Sequence, residues 1–122
     1  MDEWTPRDPK HFGIRLMAYI SDRESNPGAD LFDAVVCSPT WFAEAMETHR
    51  LNHFGGVGEA IVFGHAFIFM RTWDYPLLHK SIEDIVTGAA APDWETAASR
   101  IHRTLEWEFC YRYDDEVNEG RR

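Results

Sequence analysis

Residues 31–42 read Leu-Phe-Asp-Ala-Val-Val-Cys-Ser-Pro-Thr-Trp-Phe, and within twelve residues they join a strand to a helix. Phe32, Ala34 and Val36 occupy every second position of this stretch. An apolar period of two is typical of a strand with one face on the core. The pattern therefore predicts a strand over residues 31–37.

The end of this strand carries the start signal of a helix. Ser38 offers its hydroxyl as an N-cap, and Pro39 suits the first helical position. Apolar residues then recur at i, i+3, i+4 and i+7, which predicts a short amphipathic helix with Glu44 and Glu47 turned outward. The recurring residues are Phe42, Ala45, Met46 and His49.

A second strand is predicted before this one, because Ile14, Leu16, Ala18 and Ile20 also alternate. The residues between them include Met17 and Tyr19, and such side chains suggest that the other face is partly covered too. Fewer than ten residues, among them Asn26-Pro27-Gly28, separate the two strands. This spacing favours an antiparallel hairpin.

The rest of the chain alternates between strand and helix patterns. Residues 60–70 form an apolar run that predicts a strand buried on both faces, with Gly64 at a bulge or bend. Asp74 is the predicted cap of a helix over 75–86, with Gly88 as its stop, and Asp93 caps a third helix. A final strand with an aromatic face follows, formed by Trp107, Phe109, Tyr111 and Tyr113.

These elements predict an α+β fold in the order β-β-α-β-α-α-β. We expect a single-layer mixed sheet of about four strands with two to three helices packed on it. The length of 122 residues fits one domain, with an irregular lead-in over 1–11 and a charged tail over 114–122.

Charge and hydropathy exclude two classes of partner from expectation, nucleic acids and membranes. Lys and Arg number 12 against 21 Asp and Glu, so the formal charge is −9 and phosphate backbones would be repelled. Nucleic acid is therefore not an expected partner. A membrane is not one either, because no apolar run approaches the ~20 residues of a spanning helix. The N-terminus lacks the basic start and apolar run of a signal peptide, so we expect a cytoplasmic protein with Cys37 and Cys110 as free thiols.

No catalytic constellation emerges from the sequence. His49 and His53 have the spacing of two zinc ligands on one helical face, but a catalytic zinc needs a third ligand. The glycines of 55–58 lack the Lys-Ser/Thr of a phosphate-binding loop. We therefore predict no catalytic residue, metal or cofactor. The alternative enzyme hypothesis is a small metal-dependent hydrolase that uses the two histidines and a carboxylate.

Binding is the remaining class of function. Tryptophans near element ends and acidic residues in turns or on outer helix faces are candidate partner contacts. The alternative interpretation is that the rings belong to the core and the acids to a solvated surface. The candidate partner-binding residues are Asp22, Glu24, Asp30, Trp41, Glu44, Glu47 and Trp73.

The sequence also resembles the immunity protein 8 family of bacterial polymorphic-toxin systems. The resemblance rests on Phe12-Gly13, on the strand and Pro-x-Trp-hydrophobe step of residues 32–42, and on Trp107-Glu108-Phe109. It covers roughly residues 12–113. Membership would imply a cytosolic protein that binds and neutralises a cognate toxin encoded nearby, with no catalytic residues of its own. An acidic inhibitor suits a basic substrate site such as that of a nuclease. A binding protein that does not inhibit, such as an adaptor or secretion chaperone, is the other alternative.

Overall fold

The structure, a computed structural model, describes residues 4–21, 29–48, 61–62 and 64–109. The described elements follow the predicted order β-β-α-β-α-α-β and form a mixed four-stranded sheet with three helices, so the predicted α+β class is confirmed. The elements are β1 (Gly13–Ile20), β2 (Asp30–Cys37), α1 (Pro39–Glu47), β3 (Phe67–Phe69), α2 (Tyr75–Gly88), α3 (Trp94–His102) and β4 (Glu106–Trp107).

Strand β2 organises the sheet because it pairs with all three other strands. It pairs with β1 antiparallel over its whole length, from Gly13 opposite Cys37 to Ile20 opposite Asp30. On its other side, the C-terminal half pairs with β3 in parallel and the N-terminal half pairs with β4 antiparallel. Both edges of β2 are therefore occupied, and residues 34–37 are buried.

Helices cover both faces of the sheet. On one face, Phe32 and Ala34 pack with Ala98 and Ile101 of α3, while Val36 packs with Leu78 of α2. On the other face, β2 contributes Val35 and Cys37 to a second cluster with Trp41 and Ala45 of α1. The alternation along β2 thus supplies two hydrophobic cores from one strand.

Ser38 joins β1, β2 and α1 at one point. Its hydroxyl oxygen accepts from the Trp41 backbone N–H at 3.3 Å, which is the predicted N-cap, and from the Phe12 N–H at 3.1 Å. The Ser38 N–H donates to the Phe12 carbonyl at 2.9 Å. One buried side chain therefore fixes the start of α1 against the start of β1.

The predicted strand over residues 60–70 is wrong in length and burial. Only Phe67–Phe69 form a strand, and Ile61 and Phe69 are 65% and 50% exposed. A turn from Gly64 to Phe67 precedes it, with Ala66 at a φ of 61°, so Gly64 begins a turn before the strand and is not a bulge within it. Among the described residues of this run, β3 alone pairs with β2, through three residues, and Ile61 and Val62 are not in a strand.

Two other expectations extend beyond the described residues. Strand β4 comprises Glu106–Trp107 and a turn follows at residues 108–109, so the prediction that Phe109 continues the strand is wrong; the rest of the predicted strand, through Tyr113, lies outside the described residues. His49, placed at the end of α1, also lies outside. The caps predicted for α2 and α3 are confirmed, since Asp74 accepts from the Leu77 N–H and Asp93 from the Thr96 N–H.

Gly13→Ala is expected to destabilise the protein by about 1–3 kcal/mol, the usual cost of overpacking a core. A Cβ atom at this position would overlap the indole of Trp41, which is itself held in the core of α1. Urea unfolding followed by circular dichroism measures the loss.

Gly88→Ala is the matched control, because nothing lies within 4 Å of a Cβ at that helix end. It should leave stability unchanged or raise it by up to about 1 kcal/mol. Equal stabilities of the two variants would show that the Gly13–Trp41 contact does not constrain the fold.

Candidate functional site

A groove of about 880 Å³ lies between β1 and α2. Its wall on one side is β1 from Ile14 to Ile20. The other wall is the face of α2 that carries Ile82, Glu83, Val86 and their neighbours. We call it the edge groove, because β1 is the outer strand of the described sheet.

Tryptophans close one end of the edge groove. Trp4 and Trp73 both line it, and their rings pack edge to face with centroids 5.4 Å apart. Trp73 packs in the same way on Phe12, also at 5.4 Å. Of the predicted partner-binding residues that lie within the described segments, Trp73 lines the groove.

Local sequence explains why Trp73 is held there. Its backbone N–H donates to the Pro9 carbonyl at 2.7 Å, so the lead-in segment is tied to the loop before α2. The next residue, Asp74, accepts from the Leu77 N–H at 3.1 Å and begins the helix. Trp73 thus directly precedes the N-cap residue of α2, which fixes a large aromatic surface beside β1.

One side-chain pair, His79 and Glu83, lies at the groove rim. His79 Nδ1 lies 2.9 Å from Glu83 Oε1, and both side chains are more than half exposed. One residue further along α2, Lys80 and Asp84 form a second i,i+4 pair at 3.5 Å, but neither lines the groove. Exposed pairs of this kind contribute little to stability, so these positions can be changed without unfolding the helix.

Glu44 and Glu47 lie on α1, away from the edge groove. Glu44 Oε2 is 2.9 Å from His11 Nε2, and His11 Nδ1 is 3.1 Å from the Thr40 hydroxyl. Glu47 is exposed at the end of the helix. Helix α1 packs on the face of the sheet opposite to α2, so these two acids and Trp73 do not form one site.

Trp41 is a core residue and not a surface anchor. It is 8% exposed and packs with Val35, Cys37 and Ala45. The ring is drawn inward because Gly13, with no side chain, leaves room for it on the neighbouring strand. Of the two interpretations of this tryptophan, the core interpretation is correct.

Asp30 is hydrogen-bonded to two tryptophan side chains. Its Oδ2 atom accepts from the Trp94 indole N–H at 2.7 Å and from the Trp107 indole N–H at 3.1 Å. Both rings pack on Phe32, one edge to face and one stacked, with centroids 6.3 Å away in each case. The carboxylate therefore ties the start of β2 to α3 and β4. The other two acids of the set, Asp22 and Glu24, lie outside the described residues.

The described residues also bear on the chemistry of metal and thiol sites. Among residues 4–21, 29–48, 61–62 and 64–109, no group of three or more His, Cys, Asp or Glu side chains could hold a metal ion. His49 and His53, the candidate zinc ligands, are outside this part of the chain. Burial raises the pKa of the Cys37 thiol to about 12, so it carries no thiolate at neutral pH and is not an activated nucleophile.

Sequence reasoning missed the exposed outer side of β1. Met17 and Tyr19 are 50% and 72% exposed, so the cover expected for this face is partial and leaves most of Tyr19 open. Helix α1 covers only the part of this face near Gly13 and Cys37. The available signal was the pair Met17 and Tyr19 at two of the outward positions, beside Gly13 and Arg15 at the other two. Whether these side chains are covered or exposed depends on the length and position of α1, which the sequence of β1 does not give.

Comparison with known proteins identifies a family. The family model described as immunity protein 8 matches residues 1–111. No curated protein and no solved structure matches the chain. None of the helices in the described segments is long and apolar enough to cross a membrane.

Asp30→Ala is expected to lower the free energy of unfolding by about 1.5–3 kcal/mol, because two indole N–H groups lose an ionised acceptor. Asp30→Asn keeps one acceptor oxygen and should cost less. Denaturant unfolding followed by tryptophan fluorescence measures both variants.

Glu47→Ala provides the control, since this exposed carboxylate should change stability by less than about 0.5 kcal/mol. A stability loss for Asp30→Ala no larger than that of Glu47→Ala would contradict the structural role of Asp30.

Proposed function

The chain belongs to the immunity protein 8 family, and on that premise we propose that it binds a cognate toxin domain in the cytoplasm and neutralises it. Neutralisation is stoichiometric in this proposal, with no bond made or broken. The observation that carries it is the family match over residues 1–111, which includes every described element of the fold. The toxin is expected to be encoded beside this chain.

The charge of the chain supports a basic partner. A formal charge of −9 on 122 residues gives a negative field that steers a positively charged protein toward it. Toxins that act on nucleic acids carry basic substrate sites, because phosphate contacts dominate such binding. We therefore propose a nuclease domain as the partner, with the acidic protein covering its substrate site.

The edge groove is the proposed contact surface on this chain. Tryptophan is among the residues most often found at binding hot spots, and Trp4 and Trp73 stand at one end of the groove. The groove also leaves Ile82 and Val86 only partly buried, so a partner would remove further apolar surface from water. Glu83, at the groove rim near the middle of α2, offers a carboxylate to a basic side chain of the partner.

Co-expression with the toxin domain encoded beside this chain is expected to restore growth of cells that the toxin otherwise kills. Purified together, the two proteins should form a 1:1 complex whose association rate falls as salt is raised, because exposed charges are screened. Calorimetry and stopped-flow fluorescence measure the stoichiometry and the rate.

Three results would contradict this proposal. Absence of a complex at low salt would exclude binding. Protection at a small fraction of the toxin concentration, lost on removal of bound zinc, would favour the hydrolase alternative. Soluble toxin that stays active in the complex would favour a secretion chaperone or adaptor.

A pair of charge reversals tests the surface. Glu83→Lys changes the groove rim, whereas Asp84→Lys makes the same charge change on the same helix outside the groove. Each substitution also removes one exposed i,i+4 pair, so their effects on stability should match. We expect Glu83→Lys to weaken toxin binding about tenfold more than Asp84→Lys. Equal losses would place the contact elsewhere.

A further inference from the structure

The free edge of β1 follows from the hydrogen-bond direction along β2. Odd-numbered residues of β2 bond away from β1: the Val35 N–H donates to the Ala66 carbonyl at 2.8 Å, and the Leu31 carbonyl accepts from the Glu108 N–H at 3.0 Å. Backbone direction alternates along a strand, so the even-numbered residues of β2 bond to β1. Their register partners on β1 are also even-numbered, beginning with Ile14 opposite Val36.

The odd-numbered residues of β1 therefore point their backbone groups outward. Arg15, Met17 and Tyr19 each direct an N–H and a C=O away from β2, toward the edge groove. Among the described residues, β2 is the strand that pairs with β1, so these groups have no strand partner there. An edge of this kind is a template for another extended chain.

Strand β1 lacks three of the devices by which proteins block an edge, namely proline, lysine and a bulge, and its one charged side chain, Arg15, is bonded to Asp33 of β2. Its eight residues, GIRLMAYI, contain no proline and no lysine, and the register with β2 runs without a bulge from Gly13 to Ile20. Eight residues give a straight edge of about 27 Å. Helix α2, with 14 residues and a length of about 21 Å, provides the second wall of the groove along this edge.

We propose that an extended segment of the toxin partner adds to the free edge of β1 as a further strand and fills the edge groove. This inference rests on the proposed function and specifies how the partner is held. Main-chain hydrogen bonds to residues 15, 17 and 19 would supply affinity, and the alternating side chains of the segment would supply specificity.

The two faces of the sheet determine the sequence of such a segment. Side chains beside Leu16 and Ala18 would point toward α2, where the groove is apolar, so these positions call for apolar residues. Side chains beside Met17 would lie on the open face, where Met17, Asp33 and Glu106 form one cross-strand row. Asp33 is already hydrogen-bonded by Arg15 and lies one strand away from an added segment, so the preference for basic residues in that segment rests on the net charge of −9 and not on this row.

Charge also favours a partner segment over a second copy of this chain. Two copies joined along β1 would carry −18, twice the −9 of one chain, so their approach is opposed by repulsion. A segment with basic residues is attracted by the same field. Self-association is accordingly an outcome that would overturn the inference.

The experiment compares Met17→Pro with Met17→Ala for binding of the toxin domain encoded beside this chain. Both variants remove the Met17 side chain, but only proline removes the outward N–H, and proline is tolerated on an edge strand when its N–H side is free. We expect Met17→Pro to bind about tenfold or more weakly than Met17→Ala, with both variants folded by circular dichroism. Equal affinities would overturn the inference.

Hydrogen exchange on the unmodified protein provides a test that does not depend on the folding of a variant. The amides of Arg15, Met17 and Tyr19 should exchange rapidly in the free protein and become protected in the complex. A complex that leaves these amides unprotected would overturn strand addition and leave the proposed function intact. No complex at all would overturn both, and protection that rises with the concentration of the free protein would indicate a second copy instead.

Discussion

The arrangement of the molecule depends on the buried hydroxyl of Ser38. It accepts backbone hydrogen bonds from Phe12 and Trp41, so the beginning of β1 and the beginning of α1 share one acceptor. The adjacent Gly13 gives the Trp41 ring its place against the sheet. This junction places α1 on one face of β2, and the other face is left for α2 and α3.

Strand β2 is paired along both of its edges and packed on both of its faces, so a partner could contact the sheet at the outer strand, β1. Strand β1 has one edge occupied by β2, and its other edge faces α2 across the edge groove. The acids of α1 stand on the opposite face of the sheet and belong to the general negative field of the chain, while the groove offers shape and apolar surface. The proposed recognition combines the two: long-range charge for the approach and a strand edge for the docked state.

Much of the fold was predictable because its signals are local. Helix caps at Ser38, Asp74 and Asp93 and the alternation in β1 and β2 lie within short stretches of sequence, so the element order could be read directly. The site was less accessible, because it depends on contacts between distant residues. The pairing of Asp30 with two indoles and the shortness of β3 are set by which elements meet, and composition does not encode that.

The separation of the Ser38 junction from the edge groove has an evolutionary consequence. His79, Glu83 and Thr87 lie at the groove on the exposed side of α2, where substitutions generally alter folding free energy little. Mutation can therefore change what the groove accepts while the residues that maintain the scaffold stay as they are. A protein with this architecture could adapt to sequence changes in its partner through substitutions at a few positions of α2, without a change of fold.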